Sequence, residues 1–232
     1  MFIRSFIIGI KLLITIINNS VTNISSTVSI PLLSIILLYF SYIYITSLNF
    51  GGGLIQPKDG FNLLITLQGH KDELAGEEIV GIEEIELALS SYEPFLYIKE
   101  SEYPNVVLVE LSMDPEEAVI ILKEAPTTVV SKVVPIDMVV RTRKDVILEK
   151  ILKIATERMD PGDSFVVRCD LRGRKYIKSK EELIKAISNV LIQKLNVYPD
   201  SKNPKWVVQA EIVGEDTGIS VLEPHKILKK IS

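Results

Sequence analysis

The alternation of apolar and polar positions divides the chain, from about residue 60 onward, into short strands and amphipathic helices. Phe61–Leu67 (FNLLITL) reads as a buried strand, and His70–Ser91 as a helix with apolar residues at Leu74, Ile79, Ile82, Ile85 and Leu89. Phe95–Lys99 and Asn105–Leu111 are β-rich runs separated by the turn residues Ser101–Pro104, the pattern of a hairpin. Asp114-Pro115-Glu116-Glu117 places a cap, a first-turn proline and two acids at the start of a helix over Ala118–Glu124. Val129–Val140 is β-branched and reads as one extended run. The order β-α-β-β-α-β predicts a ferredoxin-like unit over residues 57–140, with four strands in one antiparallel sheet under two helices.

A charged run at Arg141–Asp145 marks the entry to a second unit, residues 141–232. Asp145–Met159 has Val146, Ile147, Ile151, Ile154 and Ala155 on one helical face. Ser164–Asp170 is a strand, and a basic loop then leads into a helix over Lys180–Leu195. Val207–Val213 and Gly218–Leu222 close the unit as strands around a turn at Gly214–Thr217. The fold class expected for the two units together is mixed α/β (α+β).

Residues 1–53 follow another rule. Ile30–Phe50 is 21 residues without a charge, long enough to cross a bilayer as a helix, and Met1–Ile17 is a second apolar run carrying Arg4 and Lys11. The segment contains no Ala, Asp, Glu or Gln. It reads equally as an apolar, helical membrane segment or as translation of an A/T-rich stretch ahead of a later start codon.

Net charge of -4 conceals three zones. Residues 54–138 hold 5 basic against 17 acidic side chains, whereas residues 139–232 hold 19 against 13. Clustered Lys and Arg neutralise phosphates, so the second unit is the one expected to meet a polyanion. Glu77, Glu78, Glu83, Glu84 and Glu86 fall at spacings that read as a solvated helix face, with docking of a basic protein partner as the alternative.

Candidate chemistry concentrates in one loop. Arg168, Arg172, Arg174, Lys175, Lys178 and Lys180 place six cations within 13 residues, with Tyr176 among them. Such a cluster can contact several phosphates while an aromatic ring stacks on an exposed base. Backbone N–H groups after Ser179 would add an anion site at a helix start, and Ser179 with Glu182 has the spacing of a capping box. Lys202, Lys205 and Trp206 form a smaller cluster before a strand, where the Trp reads foremost as core packing. Cys169 is the sole cysteine, so an intrachain disulfide is excluded and a reducing, cytoplasmic setting is expected, with membrane anchoring through residues 1–53 as the alternative. No dinucleotide turn, Walker loop or H-E-x-x-H helix occurs, and the two histidines are far apart, so no cofactor, metal or catalytic residue is expected.

The second unit resembles a THUMP domain. The resemblance rests on SFVVRCDLRGR with its F-x-V-x-x-x-x-R-x-R order, the helix start SKEEL, the helix KAISNVLIQKL, and VYPDSKNPKWVVQAEIVGEDTGISVL. It implies an RNA-binding module found in tRNA-modifying proteins, commonly preceded by a ferredoxin-like domain. It further implies that the basic loop holds the acceptor end of a tRNA. The layout is similar to that of stand-alone adaptors that deliver tRNA to a cytidine acetyltransferase. The expectation is therefore a non-catalytic tRNA-binding adaptor with a modifying enzyme in trans. A non-catalytic subunit of a thiolation or methylation enzyme and a membrane-anchored structural protein are the alternatives.

Overall fold

The structure, a computed structural model, describes residues 60–69 and 76–230. Two five-stranded sheets are present, each with a pair of helices on one face. The first sheet comprises β1 (Leu63–Leu67), β2 (Tyr97–Glu100), β3 (Val106–Glu110) and β4 (Val130–Pro135), with α1 (Gly76–Leu89) and α2 (Pro115–Glu124). These four strands are all antiparallel in the order β4-β1-β3-β2, the ferredoxin-like arrangement. Asp114 caps α2 by accepting the Glu116 N–H at 2.9 Å, and Pro115 occupies the first turn.

The second sheet comprises β5 (Met138–Arg141), β6 (Ser164–Arg172), β7 (Tyr198–Pro199), β8 (Trp206–Val213) and β9 (Asp216–Leu222), in the order β5-β9-β8-β6-β7. Its helices are α3 (Lys144–Arg158) and α4 (Lys180–Leu195). The run expected as one strand over Val129–Val140 is divided, because Pro135 offers no amide and the chain changes partners there. Ile136 N–H still donates to Asn62 C=O of the first sheet, whereas Asp137 N–H donates to Ile219 C=O of the second. The Arg158 guanidinium holds the Asp137 carboxylate by two bonds of 2.8 Å and pins this crossing. After β9 the chain crosses back through a short 3-10 turn, and β10 (Leu228–Lys229) pairs with β4 at the edge of the first sheet.

Period-2 alternation sorts each strand onto two faces. Phe165, Val167 and Cys169 of β6 join Ile147, Ile151, Leu183 and Ile187 in the core under α3 and α4. Leu63, Ile65 and Leu67 of β1 join Ile85, Leu89 and Leu122 under α1 and α2. The opposite faces of both sheets meet in a third cluster, where Leu64, Leu108 and Val134 pack against Val207, Val213 and Leu222. The two sheets thus lie back to back with helices outside, and each fully buried large aliphatic side chain contributes about 1.5–3 kcal/mol. Gly218 sits at a close approach between the sheets, where a Cβ would lie 2.9 Å from Ile136 and 3.0 Å from Phe61.

The apolar segment 1–53, its membrane reading included, and His70 lie outside the described residues. Among those described, no helix is long and apolar enough to cross a membrane.

Candidate nucleic-acid interface

The central parallel strand β6 organises the basic residues. Its side chains alternate, so Arg168, Asp170 and Arg172 share the face turned toward the first sheet. Opposite them in register on β8 stand Gln209 and Glu211, both fully buried. Glu211 accepts from Arg172 Nη1 at 2.7 Å and from Lys132 of β4, while Arg172 Nη2 also reaches Thr66 Oγ1 of β1 at 3.1 Å. Arg172, expected to contact phosphate, is therefore engaged in an ion-pair network between the sheets. Lys132 also pairs with Asp170. Burial would raise the Asp170 carboxyl, but Lys132, by charge and hydrogen bond, together with Arg172 and Lys180, holds it below its usual value.

Beyond β6 the chain turns at Gly173, whose φ of 85° suits glycine. A Cβ there would lie 2.2 Å from the Tyr103 hydroxyl, so this turn is seated on a side chain from the β2–β3 loop. The turn delivers Arg174, Lys178 and Lys180 to the rim of an open cleft of about 420 Å3, which Asp170, Arg172, Ser179 and Glu181 also line. Arg174 and Lys178 are exposed, and neither makes a hydrogen bond or ion pair with the described residues. Lys180 lies 3.8 Å from Asp170.

Lys175 and Tyr176 turn instead toward the two-residue hairpin between β8 and β9. Glu215 accepts from the Tyr176 hydroxyl at 2.6 Å and from Lys175 Nζ at 3.1 Å, and the Lys175 ammonium lies 4.9 Å from the Tyr176 ring centroid. The hydrogen bonds with Tyr176 and Glu215 raise the Lys175 pKa, and those from Tyr176 and Lys175 lower that of Glu215. Much of the Tyr176 ring is exposed beside Lys175.

At the start of α4, Ser179 Oγ accepts the Glu182 N–H at 3.1 Å, completing half of the expected box. The Glu181 carboxylate takes a hydrogen bond from Ser179 Oγ at 3.0 Å and lies against its own backbone N–H, which lowers its pKa. An anion belonging to the protein thus already occupies part of this helix terminus. Lys205 is held by Asp163 at 2.8 Å, and Trp206 donates its indole N–H to the same carboxylate at 2.8 Å while packing on the core. Lys202 is exposed and its ammonium has no partner among the described residues. Buried Cys169 faces the helix-side core, and burial pushes its thiol up to about 12, so it is neutral at physiological pH.

The expected cations thus differ in whether a carboxylate already holds them. Arg168, Arg172, Arg174, Lys178 and Lys180 line the clefts, but Arg172 is also bound to Glu211, as Lys175 and Lys205 are to Glu215 and Asp163. Two residues outside the expected set, Lys132 and Lys229, approach the same strand from the first sheet. They line a second cleft of about 290 Å3 with Arg168, Asp170, Lys180 and Gln209. Their positions 36 residues before Arg168 and 61 after it carry no local signal of this meeting.

Residues 141–222 match the family model of the THUMP domain. No curated protein matches the chain in sequence. Among solved structures, PH1313 from Pyrococcus horikoshii Ot3 is similar at a TM-score of 0.57 and 18% identity, over 72% of this chain and 55% of that one. A 4-thiouridine synthetase in complex with RNA and bound ATP is similar at 0.51 and 13% identity, over 73% of this chain and 42% of that one. The chain thus spans about half the length of the solved chains it matches, and at these identities the likeness is one of fold.

Proposed function

We propose that this chain, whose residues 141–222 match the THUMP domain, an RNA-binding module, binds tRNA and presents it to a separate modifying enzyme, a tRNA cytidine acetyltransferase. The observation that carries the reading is the coincidence of that domain with Arg174 and Lys178, exposed at an open cleft and held by no hydrogen bond or ion pair among the described residues. Cations without protein partners are the ones whose counterions RNA can displace, and they dominate salt-dependent affinity. Tyr176 adds a ring for stacking, and Lys202 a further phosphate contact at the margin. The acceptor-end region of the tRNA is the part assigned to this surface. The same fold occurring in a 4-thiouridine synthetase complexed with RNA favours a non-catalytic role in thiolation as the second reading.

The adaptor's own residues bind and orient, and the chemistry is assigned to the partner enzyme. Cys169 is buried and neutral, and Asp170 is kept ionised by its cations, so neither is suited to donate a proton or attack an electrophile. The test measures tRNA affinity of the full chain across a salt series, for wild type and for Arg174→Ala/Lys178→Ala. The double variant should lower the slope of log K against log salt by roughly 2. In parallel, N4-acetylcytidine formation by the acetyltransferase should require the wild-type chain and fall with the double variant. An unchanged slope removes the cleft from the interface, and acetylation independent of the chain defeats the adaptor reading.

A further inference from the structure

The smaller cleft contains a charge arrangement that the fold leaves unbalanced. Arg168 enters it from β6, Lys180 from the start of α4, and Lys132 and Lys229 from facing positions on β4 and β10. Two carboxylates, Asp170 and Glu211, serve these cations and Arg172 as well. Glu211 is taken by Lys132 and Arg172, and Asp170 by Lys132 with Lys180 at the longer distance. Arg168 and Lys229 are left without a direct carboxylate partner among the described residues. Burial, then the charges of Arg168 and Lys132, depress the Lys229 ammonium and outweigh the opposing pull of the Asp170 and Glu211 carboxylates.

We infer that this cleft is a phosphate-binding site built jointly by the two sheets, with Arg168 and Lys229 as its principal ligands. A guanidinium fork and an ammonium on opposite walls match the oxygens of one phosphate group, and a bound anion relieves the repulsion between them. The two clefts meet at Asp170 and Lys180, so a phosphodiester chain lying over Arg174 and Lys178 can continue across the seam. The inference rests on the RNA reading for the source of the phosphate, and on the cleft alone for its chemistry.

The experiment has two arms, both with the full chain. The first repeats the tRNA salt series with Lys229→Ala, Arg168→Ala and, as a charge-matched control, Lys153→Ala on the exposed face of α3. Each seam variant should lower the slope by about 1 and the control should leave it unchanged. Thermal melts establish that Arg168→Ala retains the fold should Lys229→Ala loosen β10. The second arm follows the melting temperature with inorganic phosphate against chloride at constant ionic strength. Stabilisation of wild type that is lost in Lys229→Glu supports the site even where tRNA slopes do not move, and identifies free phosphate as the source. Normal tRNA binding, unchanged seam-variant slopes and no phosphate stabilisation overturn the inference and leave the RNA reading standing. Absence of tRNA binding defeats the RNA reading, and the phosphate arm then decides the seam.

Discussion

The two sheets handle charge in opposite ways. The first unit is strongly acidic, yet two of its carboxylates act as internal fastenings. Glu93, 2% exposed, accepts from Phe95 N–H at 2.8 Å, from Ser112 N–H and Oγ at 2.7 Å, and from Met113 N–H at 2.7 Å. Glu84 likewise ties Thr128 and Val129 to α1, a role that the solvated-face reading of its helix did not anticipate. In the second unit Arg174, Lys178 and Lys202 lack such partners and face outward. Net charge is therefore a poor guide to either unit; what separates scaffold from interface is whether a charge has already found its counterpart.

The strongest blow to this contrast falls where the units meet. Glu211→Ala leaves Lys132 and Arg172 facing each other without their buried carboxylate, and should cost about 3–5 kcal/mol in denaturant unfolding. A loss below about 1 kcal/mol would show that the network is dispensable to the seam.

Next in size is the test of the acidic fastenings. Glu93→Gln turns an acceptor of four bonds into a group with one acceptor oxygen, and should destabilise by roughly 2 kcal/mol. Burial works to raise the Glu93 carboxyl, but the bonds from Met113, Ser112 and Phe95 outweigh it and leave its pKa lowered. Its contribution is then complete above the ordinary carboxylate value, 4.5, and is lost as pH falls through the lowered folded one. Between about pH 5 and pH 3 the variant should accordingly lose less stability than wild type. Parallel acid limbs in the two proteins would remove Glu93 from the acid response.

The smallest stability effect sharpens the position of the basic loop. Gly173→Ala forces a side chain into positive φ and against Tyr103, at a cost of about 1–2 kcal/mol. It should weaken tRNA binding more than its stability loss explains, because the turn carries Arg174. Binding that follows folded fraction alone would show that the loop's placement is immaterial.

Much of the fold is legible in the sequence because it depends on local patterning. Asp114-Pro115 announces α2, Ser179 announces α4, and the apolar face of α3 is the one found buried at Ile147, Ile151, Ile154 and Ala155. The division at Pro135 is harder to read, since both halves of the run are equally β-branched and only their partners differ. The same limit governs the site. A charged residue at an alternating strand position has one signature whether that face meets water or another sheet, so Arg172 is grouped with the exposed Arg174 although Glu211 claims it. Lys229 lies in a two-residue strand too short for any periodicity, and its meeting with Arg168 depends on the return of β10.

That return has a mechanical consequence. Because β5 departs beside β4 and β10 comes back to it, the second sheet and its helices are an insertion spliced between two strands of the first. Seating the outer strand of the first sheet while the insertion is unfolded would close the whole inserted segment as a flexible loop, an entropic cost that the folded insertion removes, and tension applied across the insertion is transmitted to β4 from both ends. The two sheets should consequently melt as a single cooperative transition, with neither half persisting as a stable remnant of the other.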